Sequence, residues 1–189
     1  MTYMSQLIGK TVTDLDGERV GRLDDLVVTT SGQTHSVVVA LAVKGRGKEP
    51  LLIPIADVAV LIAPAVPLKA RRANLRQHPL GEGDLFLARD ILDKQIIDTN
   101  GMRVVRVNDL DLAWVNGNFY VANVDVGGLG LMRRLGLAGA TEKVAGRLGK
   151  GASGGMIPWD SVELLPGNQP LRLKVSGEKI AELHPADLA

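Results

Sequence analysis

Three close pairs of carboxylates are the residues whose spacing could do chemistry: Asp14 and Asp16, Asp24 and Asp25, and Asp109 and Asp111. Paired carboxylates supply hard oxygen ligands, so the chemistry would be divalent-cation binding. A calcium loop needs alternating ligands closed by a Glu, and none of the pairs continues that way. Asp14 and Asp16 also flank a turn that favours such residues, so a structural role outweighs the metal role. The other reactive types are scarce. The chain has 3 histidines, His35, His78 and His184, and no cysteine. That removes disulfides, zinc–thiolate sites, iron–sulfur clusters and Cys nucleophiles. His35 and His184 read as turn or helix-start residues, and His78 precedes Pro79. Ser153 lies in a Gly-rich run but without a G-x-S-x-G elbow. The Gly-rich stretches 127–130 and 149–155 lack the spacing of a phosphate-binding loop. No nucleophile–base pair is visible. A non-enzyme without cofactor or metal is expected.

The elements that would position these residues are short. The chain has 189 residues, 46% of them hydrophobic and 23% charged, with 22 Gly and 9 Pro. This composition describes a globular chain rich in turns. The net charge of +1 is too small for a generic nucleic-acid binder. Two basic clusters stand against an acidic remainder: Lys69, Arg71, Arg72 and Arg76, and the five cations of 127–155. The N-terminus lacks the features of a secretory signal. Leu51–Leu68 is apolar except for Asp57 and has the length of a membrane-span candidate. Pro54, Pro64 and Pro67 and the β-branched residues between them favour strands instead.

An internal repeat organises the chain. Lys10-Thr11-Val12-Thr13-Asp14 matches Lys94-Gln95-Ile96-Ile97-Asp98, and Asp25-Leu26 matches Asp109-Leu110, at an offset of 84. Ile53-Pro54-Ile55 and Val58 match Ile157-Pro158-Trp159 and Val162 at an offset of 104. The second copy therefore carries 104 − 84 = 20 additional residues, between Val126 and Ile157. Asp16-Gly17, Asn100-Gly101, Ser31-Gly32 and Asn116-Gly117 are turn dipeptides between short strands. Frequent turns and short strands predict a small sandwich or barrel in each copy. Pro64–Gly83 reads as a basic, solvated connection.

The residues Leu7-Ile8-Gly9-Lys10-x-Val12, followed by Asp16-Gly17-x-x-Val20-Gly21-x-Leu23-x-Asp25, resemble the opening of a PRC-barrel domain. The Ile-Pro-Ile and Ile-Pro-Trp segments resemble that family's final strand. The resemblance covers about residues 5–64 and, more diverged, 84–166. It implies a cytoplasmic β-barrel module, similar to those of the photosynthetic reaction centre H subunit and of a ribosome maturation factor. Val105 stands where the first copy has Gly21, so the close strand approach that Gly permits is not expected there. Glu182-Leu183-His184-Pro185-Ala186-Asp187-Leu188-Ala189 resembles the start of the intracellular helical N-domain of MgtE-type magnesium transporters. In bacterial relatives of that family, a tandem PRC-barrel region precedes this domain. Glu178–Leu183 reads as a helix and Pro185 suits a first helical position, so the chain is expected to stop inside a helical region.

The resulting expectation is a mainly β protein: two small PRC-barrel-like β-barrels in tandem, a short helical insertion and a C-terminal helical stub. Residues 1–66 form the first unit and 67–83 a linker. The second unit is 84–167, with the insertion at 127–155. Residues 168–189 open a helical domain. The insertion carries the candidate partner or membrane surface: Leu131, Met132, Arg133, Arg134, Leu135, Lys143 and Arg147. Short amphipathic turns there, weakened by ten glycines at about 1 kcal/mol each, would order on a partner domain or an anionic membrane; the alternative is a flexible loop that folds back on its own barrel. The function implied by the resemblance is that of a non-enzymatic, cytoplasmic regulatory or interaction region of a magnesium-transporter-related protein. The partners would be the chain's own C-terminal helical or regulatory domains, partner subunits or a second copy. Peripheral contact would be at the cytoplasmic face of the inner membrane, and nucleic acid is not expected. The alternative is an RNA- or ribosome-associated adaptor, with Trp114, Phe119 and Tyr120 as stacking groups.

Overall fold

The structure is a computed structural model, which describes residues 2–30, 36–61, 64–97, 104–127, 155–163 and 171–173. It is mainly β, with a curled half-barrel sheet and little helix. The first half supplies β1 (Thr2–Tyr3), β2 (Thr11–Thr13), β3 (Arg19–Thr29), β4 (Val37–Lys44), β5 (Leu51–Pro54) and β6 (Val66–Pro67). The second supplies β7 (Asp84–Phe86), β8 (Gln95–Ile97), β9 (Val104–Arg106), β10 (Asp109–Val115), β11 (Asn118–Asp125), β12 (Met156–Pro158), β13 (Val162–Glu163) and β14 (Leu171–Leu173).

β-Branched residues and turn residues explain the two main ribbons. β3 and β4 are rich in Val and lie antiparallel, with Leu26 opposite Leu41. β10 and β11 meet through Asn116 and Gly117, at φ 49 and 84, a two-residue hairpin that needs both residues left-handed. The main sheet runs β1-β10-β11-β4-β3-β2-β6, and β5, β7 and β12 pair β4, β3 and β11 respectively. A second sheet runs β13-β14-β8-β9. β4 and β11 join the halves, with Tyr120 opposite Val37 and the Val121 N–H donating to the Ser36 carbonyl at 3.1 Å.

The pairings of the first half recur in the second. Val12 faces Gly21 as Ile96 faces Val105. Leu41 faces Ile53 as Val124 faces Ile157. Val12 runs parallel to Val66 as Ile96 runs parallel to Leu171. Pro54 and Pro158, at φ/ψ of −54/139 and −55/136, each lead into a single 3₁₀ turn. One apolar cluster spans both halves, from Met4, Leu23, Leu41 and Ile53 to Ile91, Leu110, Val124 and Trp159.

The apolar stretch Leu51–Leu68 contains strands β5 and β6 and a 3₁₀ turn, in line with its prolines and β-branched residues, and no helix among the described residues is long and apolar enough to cross a membrane. Two other expectations need correction. The segment 67–83 is not a free tether. Pro67 belongs to β6, Leu68 bridges Val58, and the His78 N–H donates to the Leu52 carbonyl at 2.7 Å. Residues 171–173, assigned from sequence to the helical segment, form β14 between β13 and β8. The remainder of 168–189 and almost all of 127–155 lie outside the described residues.

The Gly21 difference has a visible consequence. A Cβ there would lie 2.8 Å from Val43 Cγ1 and against the Lys44 carbonyl. The glycine lets β3 run unbroken from β2 to β4. In the second half, where Val105 takes the matching place, β9 ends at Arg106, β10 begins at Asp109, and β9 lies in the second sheet.

Candidate interaction surface

Three of the six carboxylates singled out for metal chemistry are spent on backbone amides. Asp14 is buried and accepts from the N–H groups of Asp16 at 3.0 Å, Glu18 at 2.9 Å and Arg72 at 3.0 Å. The Arg72 amide is the main reason its carboxyl sits below the usual range, against the opposing effect of burial. Asp25 is buried and accepts from Leu26 and Ala88, both at 2.7 Å, and from Arg89 at 3.0 Å. Burial nevertheless pushes its carboxyl up, beyond what those three amides pull down. Asp109 is fully buried and accepts from the N–H groups of Leu110 at 2.9 Å and Ser5 at 3.1 Å and from the Ser5 hydroxyl at 2.6 Å.

Asp111 is also buried. One carboxylate oxygen accepts from Asn123 Nδ2 at 3.0 Å, and the other, Oδ1, has no hydrogen-bond partner among the described residues. Among the described residues, no three carboxylates or histidines are placed to hold a metal ion.

The basic cluster near residue 70 is tied to the first half. Arg76 grips Asp57 through two guanidinium nitrogens, Nε at 3.0 Å, and this pairing holds the Asp57 carboxyl below its usual range. Arg71 pairs Asp16 at 3.0 Å, and Lys69 donates to the Ala56 carbonyl at 2.8 Å. His78 lies 3.4 Å from Asp84. These partners take up much of the positive charge that could have faced an anionic ligand.

Exposed apolar groups remain. Trp114, 57% exposed, and Val115 stand near the tip of the β10–β11 hairpin. Trp114 packs on Phe119 with ring centroids 4.5 Å apart. Phe119 is buried and Tyr120 half-buried, so the three aromatics do not form one open stacking platform. The sheet edges are short, and Pro54, Pro67 and Pro158 stand in β5, β6 and β12, which blunts strand addition. The candidate residues Leu131, Met132, Arg133, Arg134, Leu135, Lys143 and Arg147 lie outside the described residues.

The described residues thus build a β scaffold whose ionisable groups largely hold its own turns together. Residues 1–74 match the PRC-barrel domain. The match runs past β6 into the segment anchored by Lys69, Arg71 and the Arg72 amide. No curated protein matches the chain.

Proposed function

We propose that this chain is a non-enzymatic, cytoplasmic interaction region, built from two PRC-barrel-like units in tandem, within a magnesium-transporter-related protein. It acts through contacts with its own helical or regulatory domains or with partner subunits, at the cytoplasmic face of the inner membrane. The carrying observation is the use made of Asp14, Asp25 and Asp109: each holds backbone amides of a distant segment or turn. Groups committed in that way position a scaffold. The recurrence of strand pairings at 11–68 and 95–173 supports the tandem reading. The transporter context rests on the resemblance of residues 182–189 to the MgtE-type N-domain.

The test is genetic and biochemical together. Trp114→Ser should leave the fold intact while shifting growth of the host at limiting or excess Mg²⁺. Unchanged growth across the Mg²⁺ range, with the partner surface also altered at Arg133 and Arg134, would contradict the transporter context. In a salt-dependent RNA-binding assay the protein should show no retention; retention that falls with salt would favour the RNA-adaptor alternative.

A further inference from the structure

We infer that the two halves exchange their leading arms, so that each half is completed by a segment belonging to the other. This deepens the tandem reading above by stating how the two units are joined. The arm that leads into the first half is β1 with the 3₁₀ turn Met4–Gln6. It does not pair within that half. Thr2 and Tyr3 lie opposite Leu112 and Asp111 on β10. The arm that leads into the second half is β7 with the helical turn Leu87–Ile91. It pairs with β3, placing Leu85 and Phe86 opposite Val28 and Val27.

The two placements are equivalent. Val27 and Val28 plus 84 are Asp111 and Leu112, so the arms add to equivalent strands, β10 and β3, at the same register. Each arm is then fixed by the same residue type. Asp109 accepts from the Ser5 N–H and hydroxyl, and Asp25 accepts from the Ala88 and Arg89 N–H groups. Each arm ends in a left-handed residue, Gly9 at φ 81 and Asp93 at φ 64. Both return to their own half through the same pair of bonds. Gly9 N–H donates to Leu23 O at 2.7 Å and Leu23 N–H to Lys10 O at 2.8 Å; Asp93 N–H and Val107 N–H do the same with Val107 O and Lys94 O, both at 2.9 Å.

The exchange buries apolar cargo. Met4 and Leu7 of one arm, and Leu87 and Ile91 of the other, are fully or almost fully buried in the shared cluster. Between the halves, Tyr120 lies opposite Val37, which closes the sheet across their junction. The indole N–H of Trp159 donates to the Ser36 hydroxyl at 2.9 Å in the interior, a second tie from one half to the other. The geometry is that of an arm-swapped dimer whose two members are joined by the crossover at 75–83. Neither half has a complete sheet or core without the other's arm.

The test keeps the whole chain. A specific-protease sequence is inserted between Pro79 and Leu80, both exposed, and the purified protein is cut there. The fragments should co-elute as one 1:1 species in native buffer and part only in denaturant. Asp25→Ala together with Asp109→Ala should lower the urea concentration needed to part them. Fragments that separate in native buffer, each still folded, would overturn the exchange while leaving the tandem reading intact. A companion measurement uses the uncut chain, in case the cut protein precipitates. Both tryptophans lie in the second half. Their fluorescence should follow the same urea transition as hydrogen exchange in β3 and β4. Two separate transitions would overturn the exchange.

Discussion

Asp25 and Asp109, 109 − 25 = 84 positions apart, each hold the arm that leads into the other's half: Asp25 binds the amides of Ala88 and Arg89, and Asp109 binds Ser5. Each carboxylate is buried, and each also accepts the N–H of the following leucine. Removing either side chain leaves buried donors without acceptors. Asp109→Ala should cost roughly 1–3 kcal/mol, and Ser5→Ala less, because the Ser5 amide keeps its acceptor. Urea titration of both variants checks this. Equal stability of Asp109→Ala and the parent protein would remove the anchoring role.

Gly21 is required by contact with the next strand rather than by a left-handed backbone. Gly21→Val would drive side-chain atoms into Val43 and the Lys44 carbonyl. A destabilisation of about 2 kcal/mol or more is expected, since backbone on one side cannot give way. Thermal denaturation of the variant measures it, and an unchanged midpoint would show that β3 and β4 can separate freely.

Asp111 occupies the position that Val27 fills in the first half, and its Oδ1 lacks a partner among the described residues. Val27 is fully buried at that register. Asp111→Val should therefore stabilise the protein by about 1 kcal/mol, because a buried, half-satisfied polar group is replaced by an apolar group in a matching site. A higher denaturation midpoint at pH 7 is the expected reading. A lower one would mean that the bond from Asn123 outweighs the cost of the buried carboxylate.

The Arg76–Asp57 pair makes a pH prediction. Asp57 is held below its ordinary value of 3.8, first by the Arg76 hydrogen bonds. The native state then binds fewer protons than the unfolded chain, so stability is fully present above about pH 4 and falls as pH drops through the depressed value. Arg76→Ala should lower the melting temperature slightly at pH 6, since the guanidinium is largely exposed and screened. The difference should close as the pH drops through that depressed value, below which Asp57 is protonated in both proteins. A difference that persists unchanged into acid would assign the effect of Arg76 to packing.

Much of the fold was legible in sequence because it follows local rules. The matching Asp25-Leu26 and Asp109-Leu110 marked the repeat, and Asn116-Gly117 marked a hairpin. What was not legible is non-local. Val66-Pro67 and Leu171–Leu173 are too short to read as strands, yet they occupy matching places beside β2 and β8. Nothing local in Thr2-Tyr3 or Leu85-Phe86 states that their partners lie in the opposite half. The purpose of Asp25 and Asp109 was hidden for the same reason: their amide donors lie 63 and 104 positions away. Their recurrence at one offset was the available signal. The basic run at 69–76 read as solvated because its partners, Asp14, Asp16 and Asp57, are brought to it only by folding.

Native-state hydrogen exchange on the whole chain tests the central claim most directly. The slowest amides of β3 and β4 report the first half, and those of β10 and β11 report the second. If the arms are exchanged, both groups exchange through one global opening, with a common free energy and a common dependence on denaturant. A stable first half whose amides remain protected while β10 and β11 exchange, or the reverse, would contradict the account.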